Sequence, residues 1–213
     1  MWVLSWLEPT HDGAWRCPQS AVTVHASDPA MAPAACEAAA TALDFLQAQG
    51  LTTADPVEVH LMPQLPAPCV EHSFGCYEHA LRRINMLTAS ACLAVKTLDG
   101  LALDPAVCNS LLAHEVAHAV AADNFTVHRP SLLAQEYVAN VTMIASLPPA
   151  QRERLLALWH EAAFESADQI STTYYLMQPS RFSVKAYRHF MLQDDRPAFI
   201  QKVLTGELLG QDD

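Results

Sequence analysis

Residues 114–118 form an H-E-x-x-H motif inside a segment of helical pattern, and this motif constrains the fold more than any other feature of the sequence. Positions i and i+4 of a helix lie one turn apart on one face, so the imidazoles of His114 and His118 project together and can bind a single metal ion. Glu115 lies to the side of that face, where its carboxylate can reach a water on the metal without being a ligand. The motif therefore predicts a helix that carries a metal site and a general base.

Two histidines make an incomplete zinc site, because catalytic zinc usually takes three protein ligands and leaves one position for water. Glu136 lies early on the next predicted helix. Two helices joined by a short turn fold back on one another, which can bring the Glu136 carboxylate opposite His114 and His118. Asn140, one turn later, is predicted to accept a ring N–H from one of the two histidines. This ligand set favours one zinc ion per chain, although other divalent ions fit the same ligands.

The order of the predicted elements indicates an α+β fold in a single domain over residues 1–213. No internal repeat or flexible linker divides the chain. Residues 1–103 are rich in predicted strands and residues 104–213 are helical. Residues 63–78 are expected to form a loop, and residues 89–94 either continue the third strand or begin a turn. The predicted strands cover residues 21–26, 57–62 and 83–88, and the predicted helices cover residues 28–50, 104–122, 130–147, 148–168 and 184–192, with one more near the end.

The charge balance argues against nucleic acid as a partner. Twelve Lys and Arg against 23 Asp and Glu give a net charge of -11, and no cluster of basic residues forms a phosphate-binding face. No stretch approaches the roughly 20 uninterrupted apolar residues of a membrane span. The sequence carries no signal for an oligomeric state.

Six cysteines, none of them in a Cys-x-x-Cys pair, favour disulfides over a thiolate zinc site. Many pairings are open, although Cys69 with Cys76 would close a short local loop. Disulfides predict an oxidising compartment, either the periplasm or the exterior, and the alternative is six buried reduced thiols in the cytosol. Residues 1–9 have no basic segment and too short an apolar run for a signal peptide. Either the chain is a trimmed form or the export interpretation is wrong.

The motif and the downstream Glu136 resemble the gluzincin class of zincin metallopeptidases, in which H-E-x-x-H is followed by a glutamate ligand on the next helix. The resemblance covers residues 104–147 closely and the preceding strands more loosely, and it implies a small zincin-like fold with the active-site helix at a cleft. It also implies that residues 83–88 are the edge strand that aligns an extended substrate. The thermolysin-like members have Asp at the position of Asn140, so the surroundings of the ligands depart from that subgroup.

Carried over residue by residue, the resemblance implies that His114, His118 and Glu136 bind zinc and that Glu115 is the general base. The implied function is a zinc-dependent hydrolase, and more narrowly a peptidase that acts on a peptide or protein substrate. Gluzincins typically stabilise the developing oxyanion with a Tyr, His or Arg from beyond the metal ligands. The candidates for this role are Tyr174, Tyr175, Tyr187, Arg181 and His189.

Two other functions remain open. One is a catalytically inactive zinc-binding module, against which the presence of Glu115 argues, since a purely structural site needs no base. The other is a disulfide-stapled interaction domain in which the H-E-x-x-H motif is coincidental. Metal content distinguishes the stapled domain from the other two functions, and a Glu115→Gln comparison distinguishes the peptidase from the inactive module.

Overall fold

The computed structural model describes residues 13–67, 69 and 73–210, so the interpretation of residues 1–9 lies outside the described residues. The α+β prediction is confirmed, because a mixed five-stranded sheet is followed by a run of helices. The elements in chain order are β1 (Ala14–Arg16), β2 (Val22–His25), α1 (Ala32–Ala48), β3 (Val57–Met62), β4 (Gly75–Glu78), β5 (Arg83–Leu87), α2 (Ala89–Ala94), β6 (Thr97–Leu98), β7 (Leu101–Ala102), α3 (Pro105–Asn124), α4 (Leu132–Ala145), α5 (Pro149–Leu158), α6 (Thr172–Met177), α7 (Pro179–Met191) and α8 (Arg196–Leu204).

The strand order of the main sheet is β1-β2-β3-β5-β4, with β2, β3 and β5 parallel and both outer strands antiparallel to their neighbours. Strand β5 therefore lies inside the sheet, and the prediction that residues 83–88 form its edge is wrong. The edge strand next to β5 is β4, which lies in the segment 63–78 that was expected to be a loop. Its four residues are too few to show a recognisable alternation, and pairing with β5 defines the strand.

One apolar face of the sheet packs against the helices. In β3, Val57 and Val59 are buried, whereas Glu58 and His60 alternate with them and lie on the opposite, partly exposed face. Strands β2 and β5 contribute further buried residues to the same core, which is shared with α1 and α3. These residues are Val22, Val24, Ile84 and Met86.

Helix α3 carries the H-E-x-x-H motif and is buried on most of its surface. The side chain of Asp104 accepts a hydrogen bond from the backbone N–H of Val107 at 2.9 Å, which confirms the predicted start of the helix. The helix packs against both α1 and α4. Its alanines allow this close approach, because Ala113, Ala117 and Ala119 are fully buried without a bulky side chain.

Three helical segments differ from the sequence-based expectations. Residues 89–94 form α2, because the Thr88 hydroxyl caps the segment by accepting from the backbone N–H of Ala91. Helix α5 ends at Leu158 rather than near residue 168, since Trp159 leaves the helical conformation with φ -109° and ψ 87°. In the tail, α7 begins at Pro179 and is preceded by the short α6, which the sequence pattern did not indicate.

All six cysteines are paired, which confirms the prediction of disulfides and the pairing of Cys69 with Cys76. Three disulfides are typical of a protein that folds in an oxidising environment. No helix within the described ranges is long and apolar enough to cross a membrane. The other two pairs are Cys17–Cys36, which links the segment after β1 to α1, and Cys92–Cys108, which links α2 to α3.

Replacing both Cys92 and Cys108 by Ala should lower the free energy of unfolding by about 3 kcal/mol, because this disulfide constrains the unfolded chain across a separation of 16 residues. Urea denaturation of wild type and the double variant, followed by circular dichroism, measures the difference. The native spectra should coincide, since neither sulfur is needed to form α2 or α3. A double variant as stable as wild type would contradict the prediction.

Candidate metal centre

Three of the predicted site residues converge between α3 and α4. His114 and His118 lie one turn apart on α3, with their Nε2 atoms 3.1 Å from one another. The Glu136 carboxylate on α4 faces both rings, with one oxygen 3.6 Å from the His114 Nε2 and the other 3.5 Å from the His118 Nε2. The structure thus brings together the ligands that the sequence pointed to.

The spacing and the protonation of these groups fit a zinc ion. Ligand atoms about 2.0–2.1 Å from a tetrahedral zinc lie about 3.3 Å from one another, close to the three separations observed here. Burial lowers the pKa of His114 well below its usual value, and the neighbouring His118 lowers it further. Burial also lowers the pKa of His118, although Glu136 opposes this effect. Neutral imidazole is the form that binds a metal, so both rings are ready to act as ligands.

Asn140 supports the centre in a different way from the one predicted. Its side-chain amide donates to a carboxylate oxygen of Glu136 at 3.1 Å and to the Glu136 backbone carbonyl at 2.8 Å. Its own side-chain oxygen accepts from the Ser183 hydroxyl at 2.5 Å. The predicted bond from a histidine ring is wrong, because Asn140 is one turn from Glu136 on the same helix and reaches back along α4. The His114 Nδ1 is buried without a hydrogen-bond partner among the described residues.

Glu115 is a buried carboxyl group beside the three ligands. Only 9% of the residue is exposed, and burial together with the nearby Glu136 raises its pKa to about 8. A hydrogen bond from the backbone of Tyr77 on β4 opposes part of this rise. A group with a pKa near neutrality can both accept and release a proton, which is what a general acid–base catalyst requires.

Strand β4 lies directly against Glu115 because its first residue is glycine. A Cβ atom at Gly75 would come within 3.0 Å of the Glu115 Cγ and 2.7 Å of the Met86 sulfur. No larger residue fits there without displacing one of them. Gly75 and Tyr77 therefore bring the sheet edge to Glu115, and no pattern in the sequence marked either residue.

Tyr175 is the one candidate oxyanion donor that reaches the centre. Its side chain lies beside Glu136 at the cavity next to the centre, and burial, Glu136 and Glu115 together raise the pKa of Tyr175, in that order of importance. The Tyr175 ring packs against Phe182 of α7, with centroids 5.2 Å apart, which holds the side chain in place. The hydroxyl therefore remains protonated at physiological pH and can donate a hydrogen bond.

The other four candidates have partners away from the centre. The ring of Tyr174 packs against Phe164. The His189 ring and the Tyr137 hydroxyl share a hydrogen bond of 2.7 Å. The Arg181 guanidinium pairs with the Glu161 carboxylate at 2.8 Å. Tyr187 is 93% buried within the apolar core. Sequence alone did not separate Tyr175 from Tyr174, because adjacent positions on a helix face different sides and only the packing of α6 decides which one points inward.

A cavity of about 260 Å³ adjoins the centre and reaches His114, Glu115, Glu136 and Tyr175. Its remaining wall is mostly apolar and comes from the segment before β4, from β6, from α3 and α4, from the end of α5 and from the start of α7. We call this space the apolar cleft, and its apolar residues include Phe74, Leu98, Leu111, Met143, Leu155 and Trp159. An apolar wall next to buried polar groups is typical of a site that binds an organic ligand.

The raised pKa of Glu115 predicts a pH-dependent stability for the chelator-treated protein. The pKa of Glu115 is 4.5 in the unfolded chain and about 8 in the folded protein. Between these values the folded state retains a proton that the unfolded state releases. The stabilising contribution is therefore complete below the lower value and declines as pH rises towards the higher one. Between these two pH values, the free energy of unfolding of wild type should fall by roughly 2–4 kcal/mol relative to that of Glu115→Gln, because Gln cannot titrate.

Urea denaturation in the presence of a chelator, repeated at several pH values, measures this difference. Both proteins keep His114 and His118, so the titration of the histidines largely cancels. A difference in unfolding free energy that does not change with pH would contradict the assignment of a buried, protonated Glu115.

Comparison with known proteins gives a family but no function. No curated protein matches the chain, and no solved structure matches it. One family model matches residues 22–212, from the first residue of β2 to beyond α8, and so includes the whole candidate centre. The chain belongs to DUF6639, a family of unknown function.

Proposed function

We propose that this protein is a zinc-dependent hydrolase, and more narrowly a metallopeptidase of gluzincin type. The observation that carries the proposal is the convergence of His114, His118 and Glu136 beside the buried carboxyl group of Glu115. Structural zinc sites usually use four protein ligands, whereas three ligands leave a position for water or substrate. Three ligands with an adjacent base therefore favour catalysis over a purely structural role.

The residues around the centre supply the other parts of a hydrolytic reaction. A bound zinc ion would polarise a substrate carbonyl and lower the pKa of a water. Glu115 takes the proton from that water and passes it to the leaving amine. Its pKa falls when a cation lies beside it, so the ionised form needed for the first step is favoured in the metal-loaded protein. The Tyr175 hydroxyl donates to the carbonyl oxygen as it gains negative charge.

Strand β4 and the apolar cleft support a peptide as the substrate. The outer edge of β4 pairs with no strand of the described sheet, and the strand contacts Glu115 through Gly75 and Tyr77. An extended peptide can add to such an edge through backbone hydrogen bonds, which would align it beside the base. The apolar cleft would then receive one of its side chains.

Three disulfides support a periplasmic or secreted location for this activity. Extracellular and periplasmic compartments maintain such bonds, whereas cytosolic reductants remove most of them. A centre without cysteine ligands is compatible with this environment, because imidazole and carboxylate groups do not oxidise to disulfides.

The central test compares zinc content and peptide cleavage in wild type, His118→Ala and Glu115→Gln. After gel filtration in metal-free buffer, wild type and Glu115→Gln should each retain about one zinc per chain, because Glu115 is not a ligand. His118→Ala should lose the metal and the activity together. Glu115→Gln should lower kcat by about 10²–10⁴-fold while keeping the metal. Elemental mass spectrometry and a mixed-peptide cleavage assay measure both quantities.

Each alternative function corresponds to a different outcome of this test. The protein would be an inactive zinc-binding module if wild type binds zinc and cleaves no peptide, and if His118→Ala loses the zinc. A wild type that takes up no zinc even when the metal is added would leave the disulfide-stapled interaction domain. Cleavage by Glu115→Gln at the wild-type rate would contradict the role of the base.

Tyr175 and Tyr174 form a matched pair for testing the oxyanion donor. Tyr175→Phe should lower kcat by about 10²–10³-fold with little change in KM or zinc content, because the lost hydrogen bond strengthens only as charge develops. Tyr174→Phe should leave all three quantities near the wild-type values, since its ring packs against Phe164 away from the centre. Equal effects of the two substitutions would contradict the assignment of Tyr175.

A further inference from the structure

A second cluster of metal-ligating side chains lies on the sheet face opposite the buried core. His25 ends β2, and Glu58 and His60 belong to β3. Side chains alternate between the two faces of a strand, so Glu58 and His60 lie on one face, and the buried Val57 and Val59 lie on the other face, towards the core. The parallel ladder pairs His25 with His60 directly. The backbone register therefore fixes the proximity of these three side chains.

The side chains of this cluster already contact one another. The His25 Nε2 hydrogen-bonds to a carboxylate oxygen of Glu58, and the two side chains are 32% and 35% exposed. The His25 and His60 rings stack with centroids 4.2 Å apart and planes inclined by 12°. One possible ligand atom from each of the three residues lies within 4.8 Å of the others.

The ring of His60 has the properties of a ligand without a partner. Within the described part of the chain no hydrogen bond to its ring nitrogens is found, although the neighbouring His25 is bonded to Glu58. Two stacked imidazoles repel one another when both are protonated. Burial, His25 and Arg83 lower the pKa of His60, and Glu58 and Glu78 oppose this effect. The His60 ring therefore lies beside the bonded His25–Glu58 pair with its ring nitrogens available to a ligand.

We propose that His25, Glu58 and His60 form a second zinc site that is separate from the centre on α3 and α4. Two imidazoles and one carboxylate suit zinc, and waters can complete the coordination because the cluster is open to solvent. The ion links β2 to β3 across the outer face of the sheet. This site is weaker than the first, because its ligands are partly exposed and the positive charge of Arg83 is near. It fills when zinc is added and empties during gel filtration in metal-free buffer.

Zinc stoichiometry at equilibrium tests this proposal on the full chain. Protein treated with chelator and then dialysed against excess zinc should bind two ions in wild type and one in His60→Ala. His118→Ala should also bind one ion, and the combination of both substitutions should bind none. His160→Ala, which removes an exposed histidine outside both clusters, should bind as many ions as wild type.

A second measurement covers the case in which His60→Ala fails to fold. Copper(II) added to His118→Ala should give an electron paramagnetic resonance spectrum with coupling to imidazole nitrogen, and His25→Ala or Glu58→Gln in that background should weaken copper binding at least about tenfold. The second site is refuted if His118→Ala binds no zinc. It is also refuted if His25→Ala, Glu58→Gln and His60→Ala each leave the zinc content of the His118→Ala protein unchanged. That result leaves the hydrolase proposal intact, because the hydrolase proposal depends only on the ion that His118→Ala removes.

Discussion

The packing of α3 against α4 is the constraint on which the candidate centre depends. Helix α3 presents the ring nitrogens of His114 and His118 from one face, and the Glu136 carboxylate reaches them only because α4 lies alongside. Buried alanines on α3 allow the helices around it to approach closely. The same burial removes Glu115 and both imidazoles from water, which shifts their pKa values towards the neutral forms. A cation bound between the helices would offset that loss of solvation, so metal binding at this candidate centre would be coupled to folding.

The sheet completes the site from the opposite direction. Strand β4 lies at the edge next to β5, and the missing side chain of Gly75 allows its backbone to contact Glu115. The disulfide between Cys69 and Cys76 ties the preceding loop to this strand. Tyr175 on α6 lines the site beside Glu136. Glu115, the three candidate ligands, the sheet edge and Tyr175 therefore come from four elements, α3, α4, β4 and α6, and their relative positions depend on the common core.

The parts of this structure that follow local rules could be predicted from the sequence. Helical spacing gave His114 and His118 a common face, Asp104 marked the start of α3, and a short connection brought Glu136 back to the histidines. The parts that depend on long-range packing could not. The edge position of β4 requires the strand order, the choice of Tyr175 over Tyr174 requires the orientation of α6, and the partner of Asn140 requires knowing which groups α7 brings near.

The two clusters show why one candidate metal site can be recognised in a sequence and another cannot. A helix places ligands four residues apart on one face, so the first cluster leaves a short motif. Parallel strands place ligands side by side at a spacing set by the intervening crossover, here α1, whose length is independent of the chemistry. His25 and His60 therefore meet without any pattern between them, and only the register that pairs them reveals it. Because the first cluster lies on α3 and α4 and the second on the outer face of the sheet, loss of one leaves the candidate ligands of the other in place.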